Sequence, residues 1–199
     1  YSVEPLWISP PNVESSRRPI FLVGDSHVLS LAWQTVSIQG GLRLIVPLVV
    51  TGLKARHVRR ESRFFTSTCL RSLLQRMSAP TILFSAGEID CREGIGGPLL
   101  QGYTTSCHDH VRNTVHEFVD ALSELVNESK TLRQVLVLPV APHRPRSKTK
   151  GRVLAHASRR ETVGVWNSEL RRLCRPPVFF LDYQIDNNRM LYADSTHLN

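Results

Sequence analysis

Phe21-Leu22-Val23-Gly24-Asp25-Ser26-His27 is a short apolar run that ends in Gly-Asp-Ser, with a helix-like pattern directly behind it. An α/β protein presents a nucleophilic serine in this way. The strand leaves the core, the glycine permits a tight turn, and the serine lands where backbone N–H groups and the positive end of a helix dipole point outward. The plainer reading of the same stretch is an ordinary strand–turn–helix with Asp25 or Ser26 as N-cap.

Working outward, residues 1–18 hold Pro5, Pro10 and Pro11 and read as an extended leader, followed by one domain over 19–199. The spacing predicts a helix over 28–38, with Leu29, Ala32, Trp33 and Val36 on one face. Residues 42–50 are almost continuously apolar, as in a strand covered on both faces. Helices are predicted over 64–77 (stripe Phe65, Cys69, Leu73, Met77), 109–127 and 154–174. Strands are predicted over 81–85, 133–140 and 178–181, and a loop over 93–108. Five strands thus alternate with helices and no hairpin signal joins successive strands, which predicts a parallel sheet with helices on both faces. In such sheets the site lies beyond the carboxyl ends of the strands. Ser26, Gly52, the segment 87–92, the basic loop 141–153 and His197 all follow apolar strands and are expected along one edge.

A chain of 199 residues can bury a substantial core, and no apolar stretch approaches the roughly 20 residues of a membrane span. The net charge of +8 is carried almost wholly by arginine, whose forks suit carboxylate, sulfate or phosphate. No zinc-finger spacing, RNP-like motif or basic heptad helix points to nucleic acid. The four cysteines contain no Cys-x-x-Cys pair. Cys69 and Cys174 read as buried small hydrophobes. A Cys91–Cys107 bridge would close a loop of about 15 residues, stabilise by roughly 3 kcal/mol and imply a secretory compartment; without it a cytoplasmic location is expected. His108, His110 and His116 do not share one helix face, so no metal and no cofactor is expected.

A serine nucleophile needs a base, and the base needs an orienting acid. Asp194 and His197 supply both, three residues apart near the end of the chain. With these blocks in order, the chain resembles the SGNH (GDSL-type) hydrolases. Gly24-Asp25-Ser26-His27 matches that family's first block, Gly52 its isolated glycine, and Asp194-Ser195-Thr196-His197 its terminal Asp-x-x-His. The resemblance implies a three-layer α/β/α sandwich with a five-stranded parallel flavodoxin-like sheet, a catalytic set of Ser26, His197 and Asp194, and backbone N–H groups of Ser26 and Gly52 holding the oxyanion. No cofactor is implied. The substrate class implied is an ester of a carbohydrate or other small molecule.

The third block departs. The family pattern Gly-x-Asn-Asp reads Gly87-Glu88-Ile89-Asp90 here, so the amide donor is replaced by an isoleucine. Loss of one oxyanion donor costs about 2.7–4 kcal/mol. Arg92 is one candidate replacement, another backbone N–H a second. Glu88 and Asp90 accept rather than donate while ionised; they are expected to pair with Arg92 or to bind a sugar hydroxyl. The basic clusters at 54–63 and 144–152 favour an anionic substrate if they line the cleft. Family members continue past the histidine into a closing helix, whereas this chain stops at Asn199; either more chain follows or residues 1–18 cover that sheet face. An O-acyltransferase with the same triad, or a non-catalytic glycan- or anion-binding module, are the alternatives.

Overall fold

The apolar run at the head of the chain becomes β1, Arg18–Gly24, the third strand of a sheet ordered β2-β3-β1-β4-β5-β6. The computed structural model describes residues 18–38, 41–94, 107–141 and 150–181. β3 (Gly41–Val49), β4 (Thr81–Ser85), β5 (Gln134–Val137) and β6 (Val178–Phe180) are linked to β1 and to one another in parallel. With β2 set aside, these five run in the order 2-1-3-4-5, the flavodoxin-like order, and the strand order reverses at the β1/β4 junction. The α/β class and the parallel five therefore stand, with one more strand than the sequence predicts.

That extra strand is β2, Thr35–Ile38, antiparallel to β3 at the sheet edge. It occupies the second half of the expected 28–38 helix. Residues Ser26–Leu31 form a 3-10 helix instead, and Trp33, at φ 64°, ends any helical continuation. Thr35, Val36 and Ile38 are β-branched, and two of the three residues at 39–41 are glycines, a hairpin signal in hindsight. Leu29, expected on the buried face, is 47% exposed, and Val28 is buried in its place.

Helices α1 (Phe65–Arg76), α2 (Cys107–Glu128) and α3 (Lys150–Leu173) share one face of the sheet. The connections β3 to β4, β4 to β5 and β5 to β6 all advance in one direction across the sheet, so right-handed crossovers place their helices together. Val111, Val115, Phe118 and Leu122 of α2 and Trp166 and Leu170 of α3 pack on Val23, Phe84, Val135 and Val137. Of the expected α1 stripe, Cys69, Leu73 and Met77 pack against the core, Phe65 is exposed, and Ser67 and Leu70 are the fully buried positions. On the opposite face Ile20, Leu22, Ile45, Leu83 and Leu136 pack with Val28 and Leu31 of the 3-10 helix. Alternate residues of each strand serve the two cores, as the pleat requires.

Buried Glu169 and half-buried Asn167 anchor α3 to its surroundings. Glu169 of α3 accepts from Arg112 of α2 (3.2 Å) and from Arg172 (2.8 Å). The side chain of Asn167 donates to Val140 O and accepts from Val140 N, fixing the chain beyond β5. Among the described residues no helix is long and apolar enough to cross a membrane. The leader at 1–17 and the end of the chain lie outside the described residues.

Candidate functional site

Ser26 is exposed and opens the 3-10 helix, directly beyond the carboxyl end of the central strand and beside the β1/β4 junction. Asp25, 1% exposed, caps that helix: its Oδ1 accepts from His27 N at 2.9 Å. The same oxygen takes a second hydrogen bond from His27 Nδ1 at 2.8 Å. Behind the turn, Gly24 O accepts from Val50 N at 2.7 Å. This bond brings the Thr51-Gly52 turn to the side of Asp25-Ser26. Gly52 holds φ 72° with open space around it, so its glycine is needed for the backbone conformation.

Gly87 has a different reason to be glycine. At φ 113°, a Cβ there would stand 2.4 Å from the Trp166 ring. It packs β4's exit against α3. Glu88, next in line, is buried and accepts from Arg159 of α3. Its Oε2 stands 3.6 Å from His27 Nε2 and 3.8 Å from Arg92 Nε. The expected pairing of Glu88 with Arg92 is therefore present but long, and Arg159 is the closer cation. Ile89 is buried at 8% exposure.

Asp90 pairs with neither Arg92 nor an open cleft. It is 5% exposed, and its Oδ2 accepts from Ala55 N at 2.9 Å. This bond holds the short helix Ala55–His57, which follows the Gly52 turn, against the β4 exit. Burial pushes the Asp90 carboxyl up to about 6, against the opposing pull of the Ala55 N–H and of Lys54. A folded-state value raised above the unfolded one makes burial costless below about pH 4 and most costly above about pH 6, by roughly 3 kcal/mol. Asp90→Asn keeps an acceptor for Ala55 and removes the charge. Compared by thermal melts with wild type, the variant is expected to gain about 1–3 kcal/mol at pH 8 relative to its standing at pH 4; a gap that moves the other way refutes this account.

The basic segment after Gly52 is largely engaged locally. Arg59 pairs with Glu61 and with Glu117 of α2, and Arg60 with Glu128. Arg56 lies over the Phe64 ring. His57 is buried against Phe64, and its Nδ1 accepts from Lys54 N. Burial, then Arg56 and Lys54, hold its pKa below the ordinary value. Of the two readings open for this cluster, cleft lining or surface loop, Arg59 and Arg60 fit the second, and His57 is buried.

His27 and Arg159 are the residues that sequence reasoning passed over. His27 was legible only as the fourth residue of its block. Burial lowers its pKa, but the hydrogen bond to Asp25 and the charges of Asp25 and Glu88 outweigh that, and the net direction is upward. Asp25, His27 and Glu88 carry ligand-type atoms within 4.8 Å of one another, a spacing a metal ion could use. Arg159 on Glu88, with Arg92 near it, already supplies positive charge there, which disfavours a divalent cation. A cavity of about 40 Å³ lies beside His27 and Glu88, bounded by Ser30, Ser85, Leu138 and Pro139. A second cavity, about 450 Å³, is at the amino end of β4 and β5, lined by Met77, Ile82, Leu125 and Leu132, far along the sheet from Ser26.

His108 pairs with Glu161 and His116 with Asp120, each on the surface. Cys69 is partly buried and Cys91 and Cys174 are buried; the Cys107 side chain, and with it the expected Cys91–Cys107 pairing, lies outside the described residues. So do Asp194, His197 and the basic loop at 144–149.

No protein-family model and no curated protein matches the chain. Solved structures do resemble it. A protein from Streptococcus pneumonia described as a candidate platelet activating factor aligns over 94% of this chain and 79% of its own, at TM-score 0.61 and 15% identity. A lipase from a goat rumen metagenome aligns over 91% and 90%, at TM-score 0.55 and 11% identity. An alpha/beta hydrolase from the metagenome of Lake Arreo, Spain, aligns over 92% and 88%, at TM-score 0.50 and 12% identity. The chain therefore shares its fold with solved hydrolases.

Proposed function

We propose that this chain is a serine carboxylic-ester hydrolase of the SGNH type. One observation carries the reading: Ser26 is exposed at the carboxyl end of the central strand, at the point where the strand order reverses. Ligands of open α/β sheets bind there. In this reading Ser26 Oγ attacks the ester carbonyl, His197 takes its proton and returns it to the leaving alcohol, and Asp194 orients His197. Backbone N–H groups of Ser26 and Gly52 hold the oxyanion, and water releases the acyl group from Ser26. The hydrolase folds among the similar structures agree with this class of reaction, and the substrate is an acyl ester of a carbohydrate or another small molecule. With Arg59 and Arg60 engaged by α2, a preference for anionic esters rests on the basic loop at 144–152.

The buried Ile89 favours a second reading, a non-catalytic glycan- or anion-binding module on the same scaffold. A fluorophosphonate probe and p-nitrophenyl acetate separate the two. Covalent labelling at Ser26, with ester turnover that disappears in Ser26→Ala, is the result expected of the enzyme. Equal background rates in the two proteins and no label refute it.

A further inference from the structure

The Ser26 turn is short. A six-residue 3-10 helix has poor hydrogen-bond geometry and few internal bonds. Something outside the turn must hold it if Ser26 is to be aimed. The candidates visible in the described residues converge on one side chain, His27, which directly follows Ser26. Its ring lies between two carboxylates from different elements: Asp25 at the β1 exit, 2.8 Å from Nδ1, and Glu88 at the β4 exit, 3.6 Å from Nε2. Glu88 is in turn held by Arg159, from α3, 71 positions away in the chain. Arg92, on the same turn as Glu88, is the fourth charged group near the ring.

We propose that His27 is a positioning residue for Ser26: clamped as an imidazolium between Asp25 and Glu88, it locks the serine turn to the β4 exit, and Arg159 anchors that lock to α3. The local charges support it. Two buried carboxylates close to one another repel unless matched. Arg159 matches one, and an imidazolium between them matches the other, donating from Nδ1 to Asp25 and standing within ion-pair range of Glu88 through Nε2. Replacing the ring by a neutral group leaves Asp25 and Glu88 facing each other with one cation fewer, so the turn that carries Ser26 and the turn that carries Glu88 are pushed apart. The cavity beside the ring gives the displaced groups room to move.

The importance of this clamp for catalysis rests on the proposed role of Ser26; its existence does not, and the tests separate the two. In nitrogen-detected NMR, His27 is expected to titrate above the ordinary histidine value in wild type and to move down in Glu88→Gln and in Asp25→Asn. Amide exchange over residues 26–31 is expected to quicken by about tenfold in Glu88→Gln. With p-nitrophenyl acetate, His27→Gln and Glu88→Gln are expected to lower kcat by about a hundredfold with little change in KM, the signature of a misplaced nucleophile. Arg159→Lys, which keeps the charge and loses the fork, should fall between them and wild type. An ordinary His27 midpoint in wild type, or unchanged exchange in Glu88→Gln, overturns the clamp. Loss of turnover in His27→Gln with the exchange of residues 26–31 unchanged would make His27 a reacting group and likewise overturn positioning. If wild type itself shows no Ser26-dependent turnover, the hydrolase reading falls, and titration and exchange still decide the clamp.

Discussion

Ser26→Ala is expected to lower the rate of p-nitrophenyl acetate hydrolysis by at least about a thousandfold and to abolish fluorophosphonate labelling, while the thermal midpoint stays within a few degrees of wild type. The size of the loss follows from mechanism. Without the hydroxyl no acyl-enzyme forms, and what remains is water attack assisted by backbone donors alone. The small effect on stability follows from position. Ser26 is exposed, and the N-cap acceptor of the turn is Asp25, whose Oδ1 takes the bonds of His27 N and Nδ1. Exposed substitutions away from caps and cores fall mostly within about 0.5 kcal/mol. His197→Ala should reproduce most of the loss, because residues of one catalytic unit are not additive. A Ser26→Ala protein that hydrolyses the ester as fast as wild type removes the nucleophile and the hydrolase reading together. The buried Ile89 sets a further expectation for wild type. With one side-chain donor fewer at the oxyanion, turnover should be slow by roughly a hundred- to a thousandfold against a site with the amide.

Much of the fold was legible because its strands are covered on both faces. Runs such as 21–23, 44–50 and 81–85 have no polar alternation, and a continuous apolar run bounded by turns reads as a central parallel strand. The convergence of Ser26 and Gly52 followed from placing both beyond the carboxyl ends of parallel strands, whereas the strand order was implied only by the resemblance to a flavodoxin-like sheet. β2 was lost because a four-residue edge strand is too short to show its period, and its apolar residues also fit a helix. Glu88 and Asp90 were read as surface partners of Arg92 because charged residues in a loop are mostly solvated. Glu88 does pair with Arg92, at 3.8 Å, but the hydrogen-bond partners of the two carboxylates, Arg159 and the backbone of Ala55, are 71 and 35 positions distant. Pairing at that range depends on how α3 and the Gly52 turn pack on β4, which no local pattern encodes.

Gly24→Ala is expected to be far more damaging than the same added methyl at Gly52. The sequence suggests that this glycine serves a tight turn, but Gly52 and Gly87 are the described glycines at positive φ, and Gly24 is still within β1. What it lacks space for is a side chain. A Cβ at 24 would stand 2.4 Å from Ser85 O and 2.6 Å from a methyl of Val28. Val28 is fully buried and cannot swing away, and Ser85 O is backbone, paired in register with Gly24 across the β1/β4 junction. Relief therefore requires the two central strands to part at the point where the site is built. Overpacking of a core costs about 1–3 kcal/mol when side chains can adjust, and more when backbone must move; a loss of about 3 kcal/mol or more is expected, a fall in Tm of about 6–12 °C for a domain of this size. Gly52→Ala is the control. It meets no atom within 4 Å and faces only the strain of φ 72°, about 1–2 kcal/mol. Melts in which Gly52→Ala is the worse of the two would assign the first block's glycine to backbone freedom after all. Melts in the expected order make Gly24 the contact that lets β1 and β4 close together beneath Ser26.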